Sequence, residues 1–163
     1  MIAYELETGE RVAFDEEALL VFEQHRQSGR HQREAGGQLF GLVRDGLVEV
    51  VAATGPRRAD WRTRFGFRPS RRAERREIKR MHELGLHYLG DWHTHPEPVP
   101  KASSLDLRSI GETARLSKHA AGPLLLVVVG TARPPDGLFV CLHDGSRCSV
   151  LRREGEGAPR ARE

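Results

Sequence analysis

Apolar positions in this chain fall into short runs, and the spacing inside each run separates strand from helix. Residues 2–6 alternate weakly and residues 11–14 are apolar-rich; both fit edge strands. Asp15 then has the character of an N-cap, with Glu16 and Glu17 suited to the positive end of a helix. Ala18, Val21, Phe22 and His25 follow at helical spacing, and Ser28-Gly29 is a stop. A polar loop over 30–33 leads to two strands, 36–43 and 47–53, joined at the hairpin dipeptide Asp45-Gly46. Residues 54–68 show little periodicity. They read as a long loop or irregular strand with Trp61, Phe65 and Phe67 as the large anchors.

Pro69-Ser70 opens a basic helix that runs to Leu84, with Ile78, Met81 and Leu84 as its thin apolar stripe and Gly85 as its end. Residues 86–90 alternate as a strand that continues to His93 and His95. The next helix starts at Ser103 or Ser104 and turns Leu107, Ile110 and Ala114 inward. Residues 124–129, LLLVVV, form an unbroken apolar run, the pattern of a central strand buried on both faces. After a loop over 131–137, residues 138–143 and 146–151 make a hairpin around Asp144-Gly145. A two-residue turn there would set Cys141 opposite Cys148, with β-carbons about 5 Å apart. That pair is hydrogen-bonded and wide, so a disulfide across it would be strained, and two reduced thiols are expected. Strands mixed with three helices imply a single α/β domain over 1–152. The charged, Gly- and Pro-containing residues 153–163 have the composition of a disordered tail.

The 163 residues suffice for one domain with a real core, although only 38% are hydrophobic and 30% are charged. A net charge of +3 is too mild to indicate nucleic acid by itself. No apolar run spans a bilayer, the N-terminus lacks the pattern of a signal peptide, and two cysteines are too few for a disulfide scaffold. The expected setting is the cytoplasm. The concentration of arginines between Arg68 and Arg80 reads either as a solvated, ion-paired helix face or as a docking face for an acidic partner. Nucleic acid fits less well, because no aromatics are interleaved in that helix.

The chemistry concentrates in 91–106, DWHTHPEPVPKASSLD. In an extended backbone side chains at i and i+2 share a face, so His93 and His95 project together. Asp106 follows a Pro-rich loop at a helix start and is the candidate third ligand. Two imidazoles and one carboxylate suit zinc, with a fourth position left for water. Each piece also has a structural explanation: a His-x-His pair can be incidental, and Ser103 with Asp106 forms a helix capping box. Other zinc chemistries fit poorly. Deaminases need His-x-Glu with Pro-Cys-x-x-Cys. Amidohydrolase barrels need ~250 residues. No His-Glu-x-x-His occurs.

His93-x-His95-Pro96, six residues, Ser103, two residues, Asp106 resembles the zinc motif of the JAMM (JAB1/MPN/Mov34) metalloprotease family. The resemblance covers roughly residues 30–130. It implies a mixed sheet flanked by helices, related to the cytidine deaminase fold. It also implies a catalytic glutamate upstream, which matches Glu34 in Glu34-Ala35-Gly36-Gly37-Gln38-Leu39-Phe40-Gly41. On this reading His93, His95 and Asp106 hold Zn2+, Glu34 is the general base, and Ser103 stabilises the oxyanion. The reaction is peptide or isopeptide hydrolysis. The contexts Gly90-Asp91-Trp92-His93-Thr94-His95-Pro96 and Arg71-Arg72-Ala73-Glu74-Arg75-Arg76 look most like bacterial stand-alone members from anti-phage (CBASS-type) operons, which remove conjugated proteins. The implied partners are a protein with an extended C-terminal tail or an isopeptide conjugate, and conjugating-enzyme-like and cyclase proteins of a defence operon. Tail binding by strand addition beside the metal would use Trp92, Tyr88, Trp61 or Phe65. The alternatives are a non-catalytic binding scaffold, and a peptidase that processes a sulfur-carrier or ubiquitin-like precursor.

Overall fold

The structure is a computed structural model that describes residues 1–117 and 122–156. In chain order the elements are β1 (Ile2–Glu5), β2 (Arg11–Phe14), α1 (Glu16–His25), β3 (Gly36–Arg44), β4 (Leu47–Ala53), β5 (Trp61–Thr63), β6 (Gly66–Arg68), α2 (Arg71–Glu83), β7 (His87–Thr94), α3 (Ser104–Leu116), β8 (Leu124–Val129), β9 (Leu138–His143), β10 (Cys148–Val150) and β11 (Arg152–Arg153). Among the described residues, nine strands form one mixed sheet in the order β10-β9-β8-β7-β3-β4-β2-β1-β11, and β5 and β6 stand apart as a small hairpin. The expected mixed sheet flanked by helices is therefore present. No helix among the described residues is long and apolar enough to cross a membrane.

Both faces of the sheet are covered. Phe14, Phe22, Leu39, Val50, Trp92, Leu125 and Val127 build the core on the α1 side. Phe40, Met81, Tyr88, Ile110, Leu124, Leu126 and Val128 build the core under α2 and α3. β8 shows why its sequence lacks alternation: odd and even residues enter different cores, and all six are buried. It runs parallel to β7, which carries the histidines, and antiparallel to β9.

Local chemistry explains most boundaries. Asp15 accepts a hydrogen bond from the Ala18 N–H at 3.1 Å and starts α1. α1 ends at His25, short of the expected Ser28-Gly29 stop. The reason is Gln27, whose buried side chain donates to the carbonyls of Gln32 and Arg64. Asp45 and Gly46 both have positive φ, 45° and 80°, as a type I′ turn between β3 and β4 requires. Ser70 caps α2, and Gly85 follows it at φ 82°. The closing position of the expected α2 stripe is different, since Leu84 is exposed while the acid Glu74 is buried with Met81.

Four further expectations change with the tertiary pairing. β2 is an interior strand, parallel to β4 and flanked by β1. The outer side of β1 is met by β11, where Arg153 pairs with Tyr4. Glu154, within the stretch expected as a tail, places both carboxylate oxygens 2.8 Å from Arg11 Nη2. Residues 157–163 of that stretch lie outside the described residues. The β5–β6 hairpin replaces the expected loop or irregular strand. Trp61 and Phe65 on it are 51% and 75% exposed, so they are not core anchors. Finally, β9 and β10 pair as Cys148 with His143 and Cys141 with Val150, two residues out of the expected register. The Asp144 N–H donates to the Arg147 carbonyl, and the Asp144 carboxylate accepts from the Ser146 and Arg147 N–H groups. The turn is thereby centred on Gly145-Ser146. A shift of two residues preserves side-chain parity, and both cysteines are free thiols.

Candidate metal centre and active-site cleft

β7 delivers the two histidines. Its extended backbone continues past Thr94, because the Thr94 N–H donates to the Ala35 carbonyl at 2.8 Å and the His95 N–H donates to the Val129 carbonyl at 2.9 Å. His93 and His95 therefore lie on one face, with ring centroids 4.9 Å apart and Nε2 atoms 3.2 Å apart. The start of α3 delivers the carboxylate. Ser103 Oγ accepts from the Asp106 N–H at 3.0 Å, and Asp106 Oδ2 accepts from the Ser103 N–H at 2.8 Å, a complete capping box. Asp106 Oδ1 lies 3.2 Å from His93 Nε2, and Oδ2 lies 3.3 Å from His95 Nε2. The capping and ligand readings of Asp106 are thus compatible: the cap aims the carboxylate at the imidazoles.

The donor set fits a metal ion. His93, His95 and Asp106 place one ligand atom each within 4.8 Å of the others. Two imidazole nitrogens at 3.2 Å repel unless a proton or cation lies between them. His95 Nδ1 is 3.2 Å from Glu97 Oε1, and a proton held there leaves the Nε2 lone pair free to ligate. Hydrogen bonding to Asp106 raises the His95 pKa, although burial opposes it. Burial works against ionisation of Asp106, yet the bonds from His93, His95 and the Ser103 N–H hold its carboxyl far below the usual range.

Glu34 lies in the same cleft, just before β3, and is 7% exposed. Burial pushes its carboxyl up, with His93 and His95 opposing and Asp106 assisting. Its backbone is pinned on both sides. The Glu34 N–H donates to the Thr63 carbonyl at 2.7 Å, and Arg62 Nε donates to the Glu34 carbonyl at 2.6 Å. The next residue, Ala35, donates its N–H to Thr94 Oγ1 at 2.9 Å, and Thr94 in turn donates to Gln27 Oε1 at 3.0 Å. The glycines that follow permit close approach. A β-carbon at Gly37 would overlap the Thr54 carbonyl, and one at Gly36 would lie 2.7 Å from the Trp92 carbonyl oxygen.

The cleft measures about 800 Å³ and runs between the β5–β6 hairpin and the start of α3. Trp61 and Phe65 on the hairpin and Leu105 on α3 are exposed along it. Trp92 and Tyr88, expected beside a substrate, are 1% and 4% exposed and belong to the two cores. Trp92 packs on Phe22 and donates from Nε1 to the Thr54 carbonyl at 2.9 Å. Tyr88 donates to Asp91 Oδ1 at 2.8 Å, and burial, aided by nearby Glu74, pushes the Asp91 carboxyl up to about 7.

All five residues singled out in the sequence, Glu34, His93, His95, Ser103 and Asp106, border this one cleft. The supporting residues Gln27, Arg62, Thr94 and Glu97 were not anticipated. Thr94 had a signal: between two histidines that share a face, strand alternation turns it to the opposite, buried face. Gln27 and Arg62 had none, since their roles depend on distant segments. His119 lies outside the described residues.

Comparison with known proteins gives one pattern. The profile of prokaryotic homologs of the JAB domain matches residues 15–141. A "CD-NTase/cGAS isopeptidase" of Pseudomonas aeruginosa is 34% identical over 136 residues, covering 82% of this chain and 83% of the relative. A protein of the same name from Escherichia coli is 26% identical over 117 residues, covering 70% of this chain and 72% of the relative. A "Probable metalloprotease y4qB" of Sinorhizobium fredii is 32% identical over 113 residues, covering 66% and 68%. A solution structure of a Desulfitobacterium hafniense protein superposes with a TM-score of 0.59 at 19% identity, covering 88% of this chain and 89% of that one, a likeness of fold.

Proposed function

Because the chain belongs to the prokaryotic JAB-domain family and is a JAMM-type metallopeptidase, we propose that it is a zinc-dependent isopeptidase that cuts after the C-terminal tail of a conjugated protein. The observation that carries this reading is the convergence of His93, His95 and Asp106, with Glu34 and Ser103 on the same cleft. His93 Nε2, His95 Nε2 and one Asp106 oxygen would hold the ion. A zinc ion held there supplies Lewis acidity, lowering the pKa of water toward ~7 and polarising a carbonyl.

The remaining steps belong to the chain's own groups. Glu34 accepts a proton from the attacking water and delivers it to the leaving amine. Its backbone bonds to β5 keep that carboxylate in place, and its burial limits competition from bulk water. Ser103 Oγ uses a lone pair for the Asp106 N–H, so its hydroxyl proton remains free to donate to the developing oxyanion. Glu97 orients His95. Trp61, Phe65 and Leu105 offer apolar surface to an extended tail entering the cleft.

Two relatives bear the name CD-NTase/cGAS isopeptidase, which supports a CD-NTase as the conjugated substrate. The proposed linkage is through its tail, and the proposed setting is anti-phage defence in the cytoplasm. The test is a CD-NTase tail fused to a reporter. The purified protein should contain about one zinc per chain, cleave the fusion, lose activity with chelator and regain it with zinc. A metal-free protein that cleaves the fusion at the full rate would overturn the reading, as would a zinc-loaded one that leaves it intact.

A further inference from the structure

α2 carries six basic residues against three acids, RRAERREIKRMHE. Its sequence allows internal neutralisation at i,i+3 and i,i+4, but among the described residues the one internal ion pair formed is Arg71 with Glu74. Glu77 is held by Arg57 from the preceding loop. Glu74 is buried and, among the described residues, its one ion pair is with Arg71, at 3.1 Å. Arg72, Arg75, Arg76, Lys79 and Arg80 are all exposed, and none has a carboxylate within 4.0 Å among the described residues. At 100° per residue these five lie on one outward half of the helix, with Glu83 as the acid among them. Like charges three and four apart repel, so this row is unfavourable to the isolated helix. Arg71 and Arg68 continue it to the mouth of the cleft, where both line the wall. Within the chain, cation and cleft are therefore one continuous surface.

We propose that the Arg72–Arg75–Arg76–Lys79–Arg80 row is the docking surface for an acidic folded protein whose tail occupies the cleft. This rests on the isopeptidase reading and adds the character of the partner's body to it. A protein is favoured over nucleic acid for two reasons. The row lies on a convex helix rather than in a groove that could follow a phosphate backbone. Trp61 and Phe65, the exposed aromatics of the β5–β6 hairpin, line the cleft, and α2 itself carries no aromatic among its cations.

The experiment uses the full zinc-loaded chain and one cleavable CD-NTase tail on three carriers of the same fold, resurfaced to be acidic, neutral or basic. The free tail peptide serves as control. The acidic carrier should give a KM about tenfold or more below the neutral one, with similar kcat, and added salt should erase the difference. The triple variant Arg72→Gln, Arg75→Gln, Arg76→Gln should lose that advantage, leave peptide hydrolysis unchanged and melt no lower than the parent. Reversal with Arg72→Glu, Arg75→Glu, Arg76→Glu should move the preference to the basic carrier. Binding of each uncleaved carrier, measured by titration, separates the two readings. Equal cleavage and equal binding of all three carriers overturn the docking surface and leave the isopeptidase standing. Charge-dependent binding with no cleavage of carriers or peptide overturns the isopeptidase and leaves the docking surface standing. A short DNA duplex that binds through the same arginines more tightly than the acidic carrier also overturns the proposal, in favour of a nucleic-acid surface.

Discussion

Thr94 lies between the two candidate ligands but faces the other way, fully buried, bonding the Ala35 N–H and Gln27. Thr94→Val keeps the shape and removes the hydroxyl partner of the Ala35 N–H and of Gln27 Oε1, so it should cost about 1–3 kcal/mol in urea unfolding. Thr94→Ser should spare most of that. Because Ala35 adjoins Glu34, the valine variant should also slow turnover at unchanged zinc content. The site residues separate by a different pair of readouts. Glu34→Gln should keep the metal and lose most turnover; loss of zinc would make Glu34 a ligand instead. Alanine at His93, His95 or Asp106 should strip the metal, as atomic spectroscopy will show. Ser103→Ala should keep the metal, lose about 1 kcal/mol of capping and lower the rate. An unchanged rate would leave Ser103 with the cap alone. These positions were legible because the signals are local: an i,i+2 pair in a strand and an i,i+3 cap at a helix start. Glu34 emerged only through family resemblance, since the pairing of β3 with β7, Gly36 opposite His93, brings it to the site.

At the scale of elements, local turn chemistry decided what could be read. Asp45-Gly46 behaved as its dipeptide suggests, whereas Asp144-Gly145 did not, because the Asp144 side chain takes up the Ser146 and Arg147 N–H groups and moves the turn along by one residue. The resulting two-residue slip leaves Cys141 and Cys148 on one face, diagonal rather than opposite. Thiol titration of the unfolded, unreduced protein should find both groups free. In the native state Cys148, half-buried, should react first. Cys141 is buried, and that burial together with the neighbouring Cys148 sulfur pushes its thiol well above its ordinary value, so it should react slowly. Equal native rates would show that β10 opens freely. The β5–β6 hairpin was not legible, because strands of three residues are too short to carry an amphipathic period. The interior position of β2 was hidden too, since its parallel partner β4 arrives only after α1 and β3.

The molecule as a whole is a sheet closed at one end by contacts between distant parts of the chain. Tyr4 on β1 is 4% exposed, sits edge-on to Phe14 and reaches toward the Pro135 carbonyl at 3.4 Å. Burial raises its pKa to about 12, with Arg153 opposing and Glu156 and Asp136 assisting. The unfolded chain releases this proton near pH ~10 while the native chain keeps it, so the stabilisation is complete below ~10 and is lost as pH rises toward ~12. Two pH units correspond to about 2–3 kcal/mol at most. Tyr4→Phe should flatten this part of the urea-midpoint profile, and the difference between the two profiles isolates the contribution. At the other end, one wall of the cleft and the backbone of Glu34 are tied by the Thr63 carbonyl. The Glu34 amide hydrogen can exchange with solvent deuterium only when the hairpin lifts. Its uptake rate therefore counts the openings of the enzyme's mouth, and a tail seated in the cleft should slow that clock while exchange in β8 runs on unchanged.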